Sequence, residues 1–353
     1  MRPAPPSIRP ARSVKTTAAP RRLVAALTAG TALLTGCSFG MADEIVGDDP
    51  LPVSATAGPA DSPDQTGTPA GEVLPLDDGV VTALRVDASS RTLTAALPDP
   101  PRLLLHDLDD LEAEPREIAL PGPAASLEPA EDGGLQAPIP DAETLVRVDL
   151  DTGTAEEAPL APAAVSTAES AGTTILAHQE GTVGLLDEAG DHREVPGFAG
   201  VTDVLTVGDT VFALDRVESS LVEVNLPETR RGLALRAGEG ATNAVVDRFD
   251  RVIVTETRSG ELLVFSTDPF LLRQRYPVPG GPYAVAYDEQ RDLAWVTLTE
   301  TNELVGYDVA GGEPVERHRF PSVGQPNSVT VDQDTGTVVV GSATGEGIQV
   351  VRP

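Results

Sequence analysis

The chain of 353 residues is poor in the groups that most chemistry depends on. It has one cysteine, Cys37, which excludes an internal disulfide and any thiolate metal cluster. Aromatic residues make up 3%, so stacking platforms for sugars or bases are scarce, and Tyr283 and Phe198 are the obvious ones near the loops considered below. The four histidines, His106, His178, His192 and His318, read as one to each of four separate repeat copies, with no zinc spacing. No G-x-S-x-G elbow and no phosphate loop is present. The longest apolar stretch, Leu23–Leu34, is too short for a spanning helix, which needs about 20 residues. Positive charge is short as well: the net charge is −30, which repels phosphate backbones and argues against nucleic acid as a partner.

What is present begins with an uneven charge. Residues 1–36 carry Arg2, Arg9, Arg12, Lys15, Arg21 and Arg22 and no acid, so the body beyond them is more acidic than the total suggests. A basic start, the apolar run "LVAALTAGTALL" and then Leu34-Thr35-Gly36-Cys37 follow the order of a secretion signal. These four residues resemble the lipobox of bacterial lipoproteins. That resemblance implies lipidation of the Cys37 thiol, cleavage ahead of it, and a chain held on the extracytoplasmic side of the cell membrane by its acyl groups. Residues 1–36 are then the signal peptide. Residues 37–71, full of Pro, Gly, Ser and Asp with little to bury, read as a lipidated, disordered linker.

The remainder repeats itself. "VIVTETRSGELLVFS" from Val252 and "WVTLTETNELVGYDV" from Trp295 share Val-Thr and Glu-Leu at matching positions, and seven copies recur about every forty residues. Aligned starts fall at Ala83, Ser126, Ser166, Asp203, Asn243, Tyr283 and Asn327. Each copy alternates apolar and polar residues over short runs divided by Asp-, Arg- and Gly-rich turns, which is the period of strands and gives four per copy. A lone four-stranded sheet of this kind cannot cover both faces, so the copies must stack radially. The last copy ends at Pro353 one strand short, and "EVLPLDDG" from Glu72 precedes the first as an orphan. The expectation is an all-β, seven-bladed β-propeller at residues 72–353, closed by an N-terminal strand in the last blade.

The copies from Asn243 to Val351 resemble YVTN-type propeller repeats of exported bacterial proteins: "VIVTE", "WVTLT" and "GYDV" stand where that repeat has its second and third strands. The resemblance implies fold and export; it implies little about activity. On that fold, ligands are expected on the face where the innermost strands begin. The candidate ligand-binding residues are Asp203, Asn243, Tyr283 and Asn327 around the channel, with Arg258 and His178 from neighbouring loops. The alternative reading of Asp and Asn at these starts is that they tie up turn backbone. "DLDTG" from Asp149 and "DQDTG" from Asp332 imitate the start of a calcium loop without its downstream Glu, and read as turns.

No catalytic residue is assigned and no cofactor is expected. The function that fits is a binding or scaffold module in the cell envelope, with an envelope protein or another envelope component as partner and the chain monomeric. The alternative is a propeller enzyme of the lyase or lactonase type, using carboxylates, His178 and a divalent metal at the channel mouth.

Overall fold

Period-2 alternation over five to eight residues, cut by turns every few residues, leaves the backbone no length for helices. A computed structural model describes residues 56–76, 79–130, 133–160, 162–187 and 189–353. The signal peptide, Cys37 and linker residues 37–55 lie outside the described residues. Among the described residues the only helical turn is the short 3₁₀ segment Pro140–Ala142. Everything else regular is strand, arranged as seven four-stranded antiparallel sheets. The chain is the seven-bladed propeller that the repeat predicts.

Blade 5 shows the plan. Ala241–Val246 runs innermost, followed outward by Arg251–Glu256, Glu261–Thr267 and Phe270–Pro277, each paired to its sequence neighbour. The middle strands are buried along their length, whereas the outermost strand exposes most of its residues. The apolar clusters confirm that blades cannot stand alone. Ile253 and Val264 of blade 5 pack with Val296 and Val305 of blade 6, and Trp295 of blade 6 packs with Val338 and Val340 of blade 7. Gly306 makes room for that indole, since a Cβ there would lie 2.9 Å from Trp295 Cζ3.

The seam closes as the orphan strand predicts. Glu72–Leu74 pairs antiparallel with Ile348–Val351, placing Val73 opposite Gln349, and completes the sheet that holds Pro326–Val331 innermost. Leu74 joins Ile348, Val350 and Leu93 in the cluster shared by the last blade and the first. Gly71 and Gly347 flank the junction at φ +75° and +104°, and a Cβ at either would meet a backbone oxygen at 2.2 Å. Only glycine fits both positions.

The ring has two unlike faces. At the lower face, Asp residues cap the turns after the third and innermost strands: Asp149, ending the third strand of blade 2, accepts from Thr152 N–H (2.9 Å), and Asp332, after the innermost strand of blade 7, from Asp334 N–H (3.1 Å). The two calcium-like motifs are therefore Asx turns, as their turn reading predicts. Arginines reach from these turns to the next blade, as when Arg91 bonds Asp332 at 2.9 Å. The upper face, where innermost strands begin, is covered in part by residues 57–70. The sequence places these in a disordered linker. In the structure the backbone of this stretch is hydrogen-bonded to blade loops, with Ala70 N–H on Pro321 O (2.9 Å) and Asn302 Nδ2 on Pro63 O (2.9 Å).

Candidate functional site: the central channel and its upper rim

The innermost strands of blades 3 to 7 each carry a register shift at their start, between Val201 and Asp203 in blade 4 and between Ala241 and Asn243 in blade 5. A bulge there bends the strand and turns a side chain off the ladder. All seven aligned starts therefore reach the wall of one central channel, about 710 Å³ in volume. Asp203, Asn243, Tyr283 and Asn327 meet there, and Arg216 from the blade 4 loop joins them.

Much of the ring's hydrogen bonding is turned on itself. Asn243 Nδ2 donates to Tyr283 O of the next blade (3.0 Å). Asp203 accepts from Ser166 Oγ of the preceding blade (3.3 Å) and from the backbone N–H groups of Val204 and Ala244. Asn327 Oδ1 accepts from Gln325 Nε2 (2.9 Å). Asn243 and Asp203 thus staple adjacent innermost strands, while Asn327 ties the entry of its own blade, which is the backbone-tying role the sequence offered as the alternative.

Two of the expected residues lie elsewhere. His178 is buried within blade 3, its Nε2 3.2 Å from Nε2 of His192, above Gly184, where any Cβ would collide with both rings. Burial first, and then its partner ring, lowers its pKa. His178 therefore does not face the channel, and the two histidines share one blade, correcting the reading of one per copy. The reason is its element: His178 is the last residue of the strand Thr173–His178 and pairs with Ala164, so it belongs to the sheet and not to the loop that follows. Arg258 is exposed on the upper face, donating to Glu239 O (2.8 Å) beside Gly240.

The channel holds a carboxyl that the sequence reading missed. Glu128, in the short innermost strand of blade 2, lies 3.9 Å from Arg85 of blade 1. Burial, reinforced by the charge of Asp203, pushes the Glu128 carboxyl up to about 8. Burial also raises Asp203 to about 6, against the pull of Ser166 and Arg216. Both carboxyls thus hold their protons more readily than free ones, each opposed by the charge of a guanidinium group, Arg85 for Glu128 and Arg216 for Asp203. The available signal was alternation. Alternation would pair residue 128 with Ser126, the marked position of that degraded copy, but the strand there spans only Glu128–Pro129 and does not display it. Among the described residues no group of three or more His, Cys, Asp or Glu is placed to hold a metal ion.

The upper rim around Arg216, Thr299, Asn302 and Gln325 receives the segment 57–65. Arg216 belongs to both regions: it lines the channel and donates to Ala57 O.

No protein-family model matches the chain, and no curated protein matches it. Solved structures do match in shape. A chain described as Kuenenia stuttgartiensis hydrazine synthase is 15% identical over 81% of this chain and 99% of its own, with a TM-score of 0.67. A catalytically inactive virginiamycin B lyase from Staphylococcus aureus with quinupristin gives 15% identity, 78% and 97% coverage, and a TM-score of 0.65. The RRP9 WD40 repeats give 12%, 77% and 89%, and 0.66. At such identities the likeness establishes the propeller fold alone, a fold that carries both lyases and WD40 scaffolds.

Proposed function

We propose that this chain is a membrane-anchored extracytoplasmic lipoprotein whose propeller binds an envelope protein or another envelope component at its upper face, as a monomer and without a nucleic-acid partner. The lipobox-like Leu34–Cys37 and the YVTN-like repeats support export and anchoring. The observation that carries the binding role is the rigid ring that converges Arg85, Glu128, Asp203 and Arg216 on one open channel beneath a rim of hydrogen-bonding side chains. A ring whose blades share their cores holds such groups in place without reorganisation.

Two measurements test it. Cys37→Ala should move the protein from the membrane fraction to the soluble periplasm or medium, and unchanged membrane retention rejects the anchor. In-cell crosslinking of the native chain should give a discrete product that the Glu128→Gln, Arg85→Ala variant loses; equal crosslinking by both rejects the channel face.

One observation favours a second reading, an enzyme of the lyase type. A protonated Glu128 near an ionised Asp203 is a general acid beside a general base. Quinupristin is the ligand of one lyase of this shape and is the direct probe. Conversion of quinupristin by the native chain with added magnesium or calcium, abolished by Glu128→Gln and by EDTA, would replace the binding reading with the enzymatic one.

A further inference from the structure

Residues 57–65 run without helix or strand from blade 4 to the link between blades 6 and 7, and the ring holds them chiefly by their main chain. The Arg216 guanidinium donates to Ala57 O. Ala60 N–H donates to Thr299 Oγ1 (3.0 Å), and Asn302 Nδ2 donates to Pro63 O (2.9 Å). Gln325 uses both ends of its amide: Nε2 donates to Ala60 O and Oε1 accepts from Ser62 N–H, each at 3.0 Å. A side-chain amide bridging residues i and i+2 in this way imitates the neighbouring strand of a sheet.

The clamp is set by the ring. Asn302 and Gln325 both sit at positive φ (50° and 49°), a conformation that non-glycine residues adopt at a cost. Asn302 Oδ1 accepts from Gln325 N–H (3.1 Å), locking one to the other, and Asn327 Oδ1 holds the Gln325 amide from behind at 2.9 Å. Two glycines lie beneath the segment. A Cβ on Gly240 would come 2.9 Å from Ala57 Cβ, and one on Gly281 would come 3.2 Å from Ala60 Cβ. The groove therefore takes small residues at two positions three apart and then reads backbone together with the Ser62 hydroxyl, which donates to Thr299 O (2.6 Å) and accepts from Gln325 N–H (3.1 Å), and the Gln65 amide, which donates to Ser322 O.

We propose that this clamp is a peptide-binding groove, that its partner class is a non-helical polypeptide segment of small and proline residues in another protein, and that residues 57–65 occupy it as a competitor in cis. The proposal rests on the binding reading above and names the chemistry of its partner. Main-chain hydrogen bonds supply affinity, the glycine floor supplies selection against bulk, and the segment's low apolar content keeps its own hold weak. A segment tethered this closely competes at an effective concentration on the order of millimolar, so a partner must bind more tightly than that to displace it.

The test uses the full chain and a fluorescein-labelled peptide of residues 56–66 read by anisotropy. In one variant residues 57–65 become a Gly/Ser run of equal length, preserving the seam strand and the tether. That variant should bind the peptide at least about tenfold more tightly than the native chain does. Adding Gln325→Ala, or N-methylating the peptide at the Ser62 amide, should each weaken binding about tenfold, the equivalent of one buried hydrogen bond. Equal binding to native and variant chains overturns the proposal, as does a native-like melting curve with no peptide binding. Should the replacement fail to fold, Gln325→Ala in the native chain should speed exchange of the Ala60 and Ser62 amides about tenfold; unchanged exchange also overturns it. The failures are separable. Peptide binding to the purified chain does not depend on Cys37 or on any envelope partner, and loss of in-cell crosslinks at the channel does not depend on the clamp.

Discussion

Two neighbouring stretches, Glu72–Leu74 and residues 57–65, are both held by main-chain hydrogen bonds to distant parts of the ring, yet they are built for opposite purposes. The first pairs with a strand and carries Leu74, 7% exposed, into a core shared by two blades. The second pairs with side chains and brings Ala57, Pro59, Ala60 and Ser62 to a surface where they remain only partly covered. Hydrogen bonds exchanged with water contribute about 1 kcal/mol each, so apolar burial decides which attachment is permanent. The seam strand is part of the fold. The strap is a contact the fold can lose.

The largest effect that would break this comparison lies at the seam. Deleting Glu72–Leu76 should cost on the order of 4 kcal/mol in urea denaturation, because it strands Ile348 and Val350 at an open sheet edge. An unchanged midpoint would show that the ring does not depend on its closing strand.

A channel group should act in the opposite direction and depend on pH. Glu128 has a folded pKa of about 8, above its ordinary value. Folding therefore favours its protonated form: its contribution is fully present below about pH 4 and is lost as pH rises through 8. Glu128→Gln removes that penalty and should stabilise the chain by about 1–3 kcal/mol at pH 9, with the gain vanishing near pH 4. A gain independent of pH would place its cause outside the carboxyl.

Replacing residues 57–65 with Gly/Ser should cost about 1 kcal/mol or less, several-fold below the seam deletion, because the entropy of ordering the segment offsets most of what its hydrogen bonds supply. Comparable losses from both would erase the distinction between strand and strap. The smallest effect is expected at the lower face. Arg248 bonds Asp292 with nearly half its side chain exposed, and Arg248→Ala should shift stability by roughly 0.5 kcal/mol, measured by the same denaturation.

The legibility of each part follows from its range along the chain. Ala83, Asp203, Asn243 and their counterparts could be aligned because a blade is a local unit, with strand, turn and strand written consecutively. Their place on the channel wall then followed from the ring. Glu128 was passed over because its blade has only a two-residue innermost strand, Glu128–Pro129, whose pattern is too short to show alternation. His178 was misplaced because the sequence does not mark where a strand ends: it reads as part of a loop, but it is the last paired residue of Thr173–His178.

The strap was unreadable for a different reason. Thr-Ala-Gly-Pro-Ala-Asp-Ser-Pro has nothing to bury, and composition of that kind signals disorder whenever the segment is considered alone. Its partners Thr299, Asn302 and Gln325 stand more than two hundred residues away, and no local pattern marks them as acceptors and donors for it.

By itself the sequence determined the repeat, the four strands of each copy and the orphan strand that completes the last, because alternation and turn chemistry are encoded within a few residues. Tertiary structure alone decided that Glu128 and Asp203 line one channel, that His178 is buried against His192, and that residues 57–65 lie clamped on the rim. Those outcomes depend on ring closure, which brings residues distant in the chain within hydrogen-bonding reach, where burial and neighbouring charge reset what each group can do.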